Sequence, residues 1–148
     1  MEIPMNIKIA KYFTLAEMCA SDTAKEKGIK NQPTVTEVVN LTLLCTKVLD
    51  PLRKAMGPIQ ISSGFRCAAL NKAVGGVSNS QHMKGEAADL CIDGDIQKGK
   101  SWFQFIKQHC EFDQLIMEHN SKGTYWVHVS YRCDGNNHKQ VINNLLKT

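Results

Sequence analysis

The sequence predicts an α+β fold: helices first, then a small, mostly antiparallel sheet packed against them, with one helix inserted between its strands. Three observations lead there. Val35, Val38, Val39, Leu41, Leu44, Cys45, Val48, Leu49 and Leu52 recur at helical spacing early in the chain. Segments with strand-like alternation follow only after residue 58. Among them lies one more amphipathic run, 98–110, with Trp102, Phe105 and Ile106 on its apolar side. Helices followed by strands, without regular alternation, indicate α+β. A chain of 148 residues suits one domain, 1–148, with one core.

The elements follow in order. Thr14 with Glu17 three residues on is a capping-box pattern, opening a short helix from Leu15 to about Cys19. Ser21 and Asp22 lead into a second short turn that Gly28 ends, and Asn31, Gln32 and Pro33 break the chain. The long helix spans 34–56, is kinked at Pro51 and stops at Gly57 and Pro58. A strand is expected over 59–62 and a helix over 67–74, ended by Gly75 and Gly76. A polar loop over 77–84 precedes a strand over 87–92 and a turn at Asp93, Gly94 and Asp95. After the 98–110 helix come strands over 112–118 and 125–131, joined by a hairpin turn at 120–123. A terminal helix is expected over 137–146.

Composition excludes several classes. The formal charge of +4 and pI of about 8.7 suit an anionic polymer, and suit an ordinary domain as well. Lys and Arg form no stripe, so no nucleic-acid partner is expected. No run reaches the ~20 apolar residues of a membrane span. The opening MEIPMNIKIA has no apolar stretch of the kind a signal peptide needs, so production in the cytoplasm is expected. The six cysteines are scattered with no CxxC pair, so a thiolate zinc site is excluded and most are read as buried, reduced thiols.

The chemistry concentrates in three strands. In 87–92, Ala88, Leu90 and Ile92 form one face, and Ala87, Asp89 and Cys91 the other. A carboxylate at the centre of an apolar strand is costly unless it is paired or binds a cation. In 125–131, Trp126, His128 and Ser130 share a face. If the two strands are neighbours, Asp89 and His128 share that face, and His82 in the preceding loop can fold over them. Two imidazoles and one carboxylate are the ligand set of a catalytic zinc with one position open. Glu118 shares a strand face with Gln114 and Ile116 and can take a proton beside such a centre. Arg66, just past the first strand, can bind a substrate carboxylate or a developing oxyanion. Taken singly, each has an ordinary reading: a core histidine, a buried N–H acceptor, a solvated glutamate, a salt-bridge arginine.

At these residues the sequence resembles the zinc D-alanyl-D-alanine carboxypeptidase family, which includes phage endolysins and peptidoglycan endopeptidases. The S-x-H-x-x-G-x-A-x-D pattern is met by Ser80, His82, Gly85, Ala87 and Asp89, and W-x-H by Trp126 and His128. S-G-[YF]-R followed by L-N is met by Ser63, Gly64, Phe65, Arg66, Leu70 and Asn71. The YFTLAEM opening looks like a phage- and Bacteroides-type branch, so the likeness spans nearly the whole chain. The resemblance implies a hedgehog/DD-peptidase-like fold and one Zn2+ on His82, Asp89 and His128. It also implies Arg66 on the substrate, with Ser80, Gln81 and Trp126 lining its site. The implied activity is hydrolysis of peptide bonds in bacterial peptidoglycan, of carboxypeptidase or endolysin type, on a stem-peptide substrate by a monomer reaching the wall after lysis. One position departs. Several relatives place a carboxylate three residues before the last histidine, where Tyr125 stands here, so Glu118 is assigned the base. The alternative is a catalytically inactive, zinc-containing wall-binding or phage structural module.

Overall fold

A computed structural model describes residues 3–145 of the chain. The first helices form at their caps. At the start of α1 (Leu15–Cys19) the Thr14 hydroxyl accepts the Glu17 N–H at 3.2 Å, and the Glu17 carboxylate accepts the Thr14 N–H at 3.2 Å. These two reciprocal bonds are the expected capping box. Ser21 caps α2 (Asp22–Lys27), which ends on Gly28.

The helix expected over 34–56 forms as three consecutive segments: α3 (Val35–Leu44), a π-helical turn (Cys45–Leu49) and α4 (Asp50–Met56). Pro51 has no N–H to give to the carbonyl one turn back, and the wide turn lies directly on its N-terminal side. The expected kink thus takes the form of an i→i+5 bond, in which the Asp50 N–H reaches the Cys45 carbonyl.

Five strands make one sheet: β1 (Gln60–Ser63), β2 (Ala87–Cys91), β3 (Gln114–His119), β4 (Tyr125–Ser130) and β5 (Gln140–Asn143), in the order β1-β2-β4-β3-β5. The first four pair antiparallel, and β5 runs parallel to β3. Helix α5 (Ala68–Ala73) and a 3-10 turn (Gln81–Lys84) lie between β1 and β2. Helix α6 (Ile96–His109) begins earlier than expected because Asp95 is its cap, accepting the Lys98 N–H at 3.0 Å.

One sheet face is the floor of the core. Ala88, Leu90, Ile92, Val127, Val129, Leu115 and Met117 are buried there together with Trp102, Phe103 and Ile106 of α6 and Leu41, Leu44, Val48 and Leu52 of the long helix. The other face is open and polar, and it carries the site. Cys19, Cys45 and Cys110 are buried in the core. Burial pushes the Cys19 thiol up to about 12 and the Cys110 thiol up to about 11, and raises Cys45 as well. Such thiols are neither nucleophiles nor ligands. Among the described residues no helix is long and apolar enough to cross a membrane.

The terminal helix expected over 137–146 is not what forms. Residues Gln140–Asn143 are β5, paired residue by residue with β3 from Gln114↔Gln140 to Met117↔Asn143. Lys139 enters the strand at φ 51, which no helix tolerates. Adjacent β-branched Val141 and Ile142 suit a strand, and the free edge of β3 offers hydrogen bonds that local periodicity cannot reveal. The end of that expected helix, Leu146, lies outside the described residues.

Candidate metal centre

The centre is built by strand register. Asp89 on β2 stands directly opposite His128 on β4, and His128 stands opposite Ile116 on β3. Ala88↔Val129 and Leu90↔Val127 point to the core, so Asp89 and His128 point together to the open face. His128 Nδ1 lies 2.8 Å from Asp89 Oδ1. His82 arrives from the 3-10 turn, its Nε2 3.4 Å from the same oxygen. The two imidazole rings meet edge to face, 5.3 Å between centroids. One donor atom from each of His82, Asp89 and His128 lies within 4.8 Å of the others.

His82 is oriented from behind. It is buried, and its Nδ1 donates to the Gly64 carbonyl at 2.7 Å. The proton is therefore on Nδ1, and the Nε2 lone pair faces Asp89 and His128. Ser80 caps the turn, its hydroxyl accepting the His82 N–H at 3.2 Å. Gly85 closes the turn at φ 73, and a Cβ there would sit 2.5 Å from the Glu37 carbonyl oxygen. The glycine between His82 and Asp89 is thus demanded by conformation and by contact with α3. Gly85→Ala is expected to destabilise the protein by about 2–4 kcal/mol through left-handed strain and overpacking. A urea titration showing a loss under about 1 kcal/mol would contradict this geometry.

The Gly64–Cys67 segment is pinned by Asn31. Its Nδ2 donates to the Cys19 and Phe65 carbonyls, each at 2.9 Å, and its Oδ1 accepts the Cys67 N–H at 2.8 Å. This carries Arg66 into the cleft that Ser80, Gln81, Glu118, Trp126 and the three donor residues also line. Arg66 Nη2 lies 3.5 Å from Ser80 Oγ, while its buried Nε has no hydrogen-bond partner among the described residues. Burial lowers the Arg66 pKa and the Asp89 charge works against that. The guanidinium stays a cation with unused donors, as an anion-binding group needs.

Burial alone would raise the Asp89 carboxyl, but the hydrogen bond from His128 and the neighbouring His82 ring hold it well below the usual carboxylate range. It is a permanent anion between two imidazoles. Tetrahedral bonds of about 2.0–2.1 Å put ligand atoms about 3.3 Å apart, and the His82–Asp89 spacing of 3.4 Å matches. The shorter His128–Asp89 contact is a hydrogen bond whose proton lies where a cation would replace it. The donor chemistry fits a divalent ion with nitrogen and oxygen ligands.

The model of the peptidase M15 family matches residues 11–130. The chain belongs to the peptidase M15 family. A zinc D-Ala-D-Ala carboxypeptidase from Streptomyces albus G is 43% identical over 82 residues, covering 53% of this chain. The chain spans 30% of the length of that curated relative. Every candidate residue of this M15 chain, from Arg66 to His128, lies inside the matched span, whereas β5 lies beyond it.

Several residues that line or support the cleft of this M15 chain carry no functional signal in the sequence. Asn31 resembled a helix breaker, and the Gly64 carbonyl carries no side-chain signal at all. Alternation along the expected 112–118 strand puts Asp113 on the face opposite Glu118. The strand starts two residues later than expected, at Gln114, and Asp113 lines the cleft with its carboxylate accepting from Gln81 Nε2 at 3.1 Å. Tyr125 packs against the core cluster, three residues from His128 and therefore on the other sheet face. Glu118 pairs with Trp126, one same-face position along from the Ile116↔His128 pair.

Asp113, like Asp89, is held below the usual carboxylate value: burial opposes the shift, and hydrogen bonds from His138 and Gln81 outweigh it. With folded pKa values below unfolded ones, the stability both supply is complete above the unfolded value of about 4 and is lost as pH falls through the folded values. The urea midpoint of metal-free protein is expected to drop between about pH 5 and pH 2. The drop should be shallower in Asp113→Asn; an unchanged slope would count against the Asp113 interactions.

Proposed function

We propose that this chain is a zinc-dependent peptidase that hydrolyses peptide bonds in the stem peptides of bacterial peptidoglycan. The observation that carries this reading is the convergence of His82 Nε2, Asp89 Oδ1 and His128 Nδ1 in one cleft that Arg66 and Glu118 also line. M15 membership and the name of the Streptomyces relative support the substrate class. His82, Asp89 and His128 hold the ion. A zinc ion held there supplies Lewis acidity and makes water nucleophilic near neutral pH. Glu118 accepts the proton of the attacking water and delivers it to the leaving amine. Arg66 binds the terminal carboxylate of the substrate or the developing oxyanion. Ser80, Gln81 and Trp126 wall the peptide's path. Carboxypeptidase and endolysin-type cleavage share this machinery and differ in which bond is presented to it.

The test is digestion of purified peptidoglycan with zinc-loaded protein, with and without chelator, followed by mass spectrometry of the fragments. Chelator-sensitive release of new amine termini is expected, and fragment masses name the bond. A second reading, a wall-binding module that cuts nothing, draws on Tyr125 standing where several relatives carry a carboxylate. Tight peptidoglycan binding by zinc-loaded protein with no new termini would establish that reading and end the first.

A further inference from the structure

Beside the donor triad, a chain of polar groups leads to the cleft wall, and the reaction above uses only its last member. It runs from His138, just before β5, through Asp113 to Gln81 in the cleft wall. Asp113 Oδ1 accepts the His138 backbone N–H at 3.1 Å and the His138 ring Nδ1–H at 2.6 Å, and Oδ2 accepts from Gln81 Nε2 at 3.1 Å. Asp113 is buried at 8% exposure, whereas the His138 ring is largely exposed. Further bonds fix the carboxylate's backbone: the Asp113 N–H donates to the Ser130 carbonyl at 2.8 Å, and the Gln140 N–H donates to the Asp113 carbonyl at 2.9 Å. Strands β4 and β5 therefore hold Asp113 in place from both sides.

A primary carboxamide is nearly symmetric in shape and opposite in polarity at its two ends, so only its partners decide which end faces a ligand. An ionised carboxylate accepts and never donates. Asp113 is kept ionised by its three donors. The NH2 of Gln81 must then face Asp113, and the carbonyl is the arm left for the cleft that Gln81 lines. We propose that Asp113 is a positioning residue that locks the Gln81 carboxamide, so that the cleft presents a hydrogen-bond acceptor to a backbone N–H of the bound peptide. This rests on the peptidase reading for its ligand. The locking itself depends only on the geometry above. The selectivity that follows is for a substrate with a free N–H at that position over its N-methylated or ester counterpart, because a site built to pair with a donor rejects an analogue lacking it.

Asp113→Asn tests the lock without changing shape. The two His138 donors still require an oxygen, so the new NH2 turns to Gln81. Two donors cannot face each other, and the Gln81 carboxamide flips to present its NH2 to the cleft. On the peptide that the native enzyme cleaves, KM is expected to rise about tenfold with kcat nearly constant. Gln81→Met should raise KM similarly, and Asp113→Asn should add nothing in the Gln81→Met background, since it acts through Gln81. KM effects that multiply in the double variant, or an unchanged KM in Asp113→Asn, would overturn the proposal. Nitrogen-15 NMR of the zinc-loaded protein separates this outcome from failure of the peptidase reading. The Gln81 side-chain amide should show one strongly hydrogen-bonded proton in the native protein, and should lose that signature in Asp113→Asn. A native protein that cuts no peptide yet shows this signature refutes the peptidase reading and supports the lock; a Gln81 amide indifferent to Asp113→Asn refutes the lock.

Discussion

Asp89→Asn protein is expected to lose stoichiometric zinc on dialysis and at least about a thousandfold in kcat/KM. Asp89 is the only anion among the three donors, and both imidazoles address its Oδ1, at 2.8 Å and 3.4 Å. Asparagine keeps the shape and the acceptor for His128 Nδ1, so the metal-free fold survives. It removes the negative charge that compensates a dication in a site where burial magnifies charge. The change therefore falls mainly on metal affinity, with a smaller loss of folding stability, and the two are separable. Elemental analysis after dialysis reads the ion, and circular dichroism of the metal-free protein reads the fold. Asp89→Asn protein that kept one zinc per chain and its activity would remove Asp89 from the ligand set. His128→Ala is expected to act in the same direction, because it removes the donor that β4 aims at Asp89.

Glu118→Gln is expected to lower kcat by about 10²–10⁴ with zinc content and KM close to native. Glutamine fills the same place on β3 opposite Trp126 and cannot accept the water proton at neutral pH. The division between kcat and KM matters. A residue that only shaped the cleft would change binding, whereas a proton acceptor acts in the transition state. Tyr125 offers no substitute, since it packs against the core. A Glu118→Gln enzyme with native kcat would move the proton transfer to another group and leave Glu118 as part of the wall.

Much of this was legible locally. Strand side chains alternate with period two whatever the strand pairs with, so the placing of Asp89 on one face of β2 and of His128 with Trp126 on one face of β4 required no tertiary knowledge. Capping at Thr14 and the stop at Gly57 are likewise local, because the bonds that make them lie within a few residues. The peptidase motifs fall in the same class: Gly85 is dictated by a turn three residues from His82 and four from Asp89.

What the tertiary structure decided was adjacency. That β2 lies beside β4 in the register that sets Asp89 opposite His128 is a choice among strand pairings, and alternation permits several. The segment 140–143 became β5 because the unpaired edge of β3 outweighed a weak local preference for helix. The Gly64 carbonyl behind His82, the Asn31 clamp under Arg66 and the Asp113 bond to Gln81 join residues 18 to 36 positions apart. Hydrogen bonds across such separations depend on how the chain closes on itself, and no periodicity within a window of sequence records that closure.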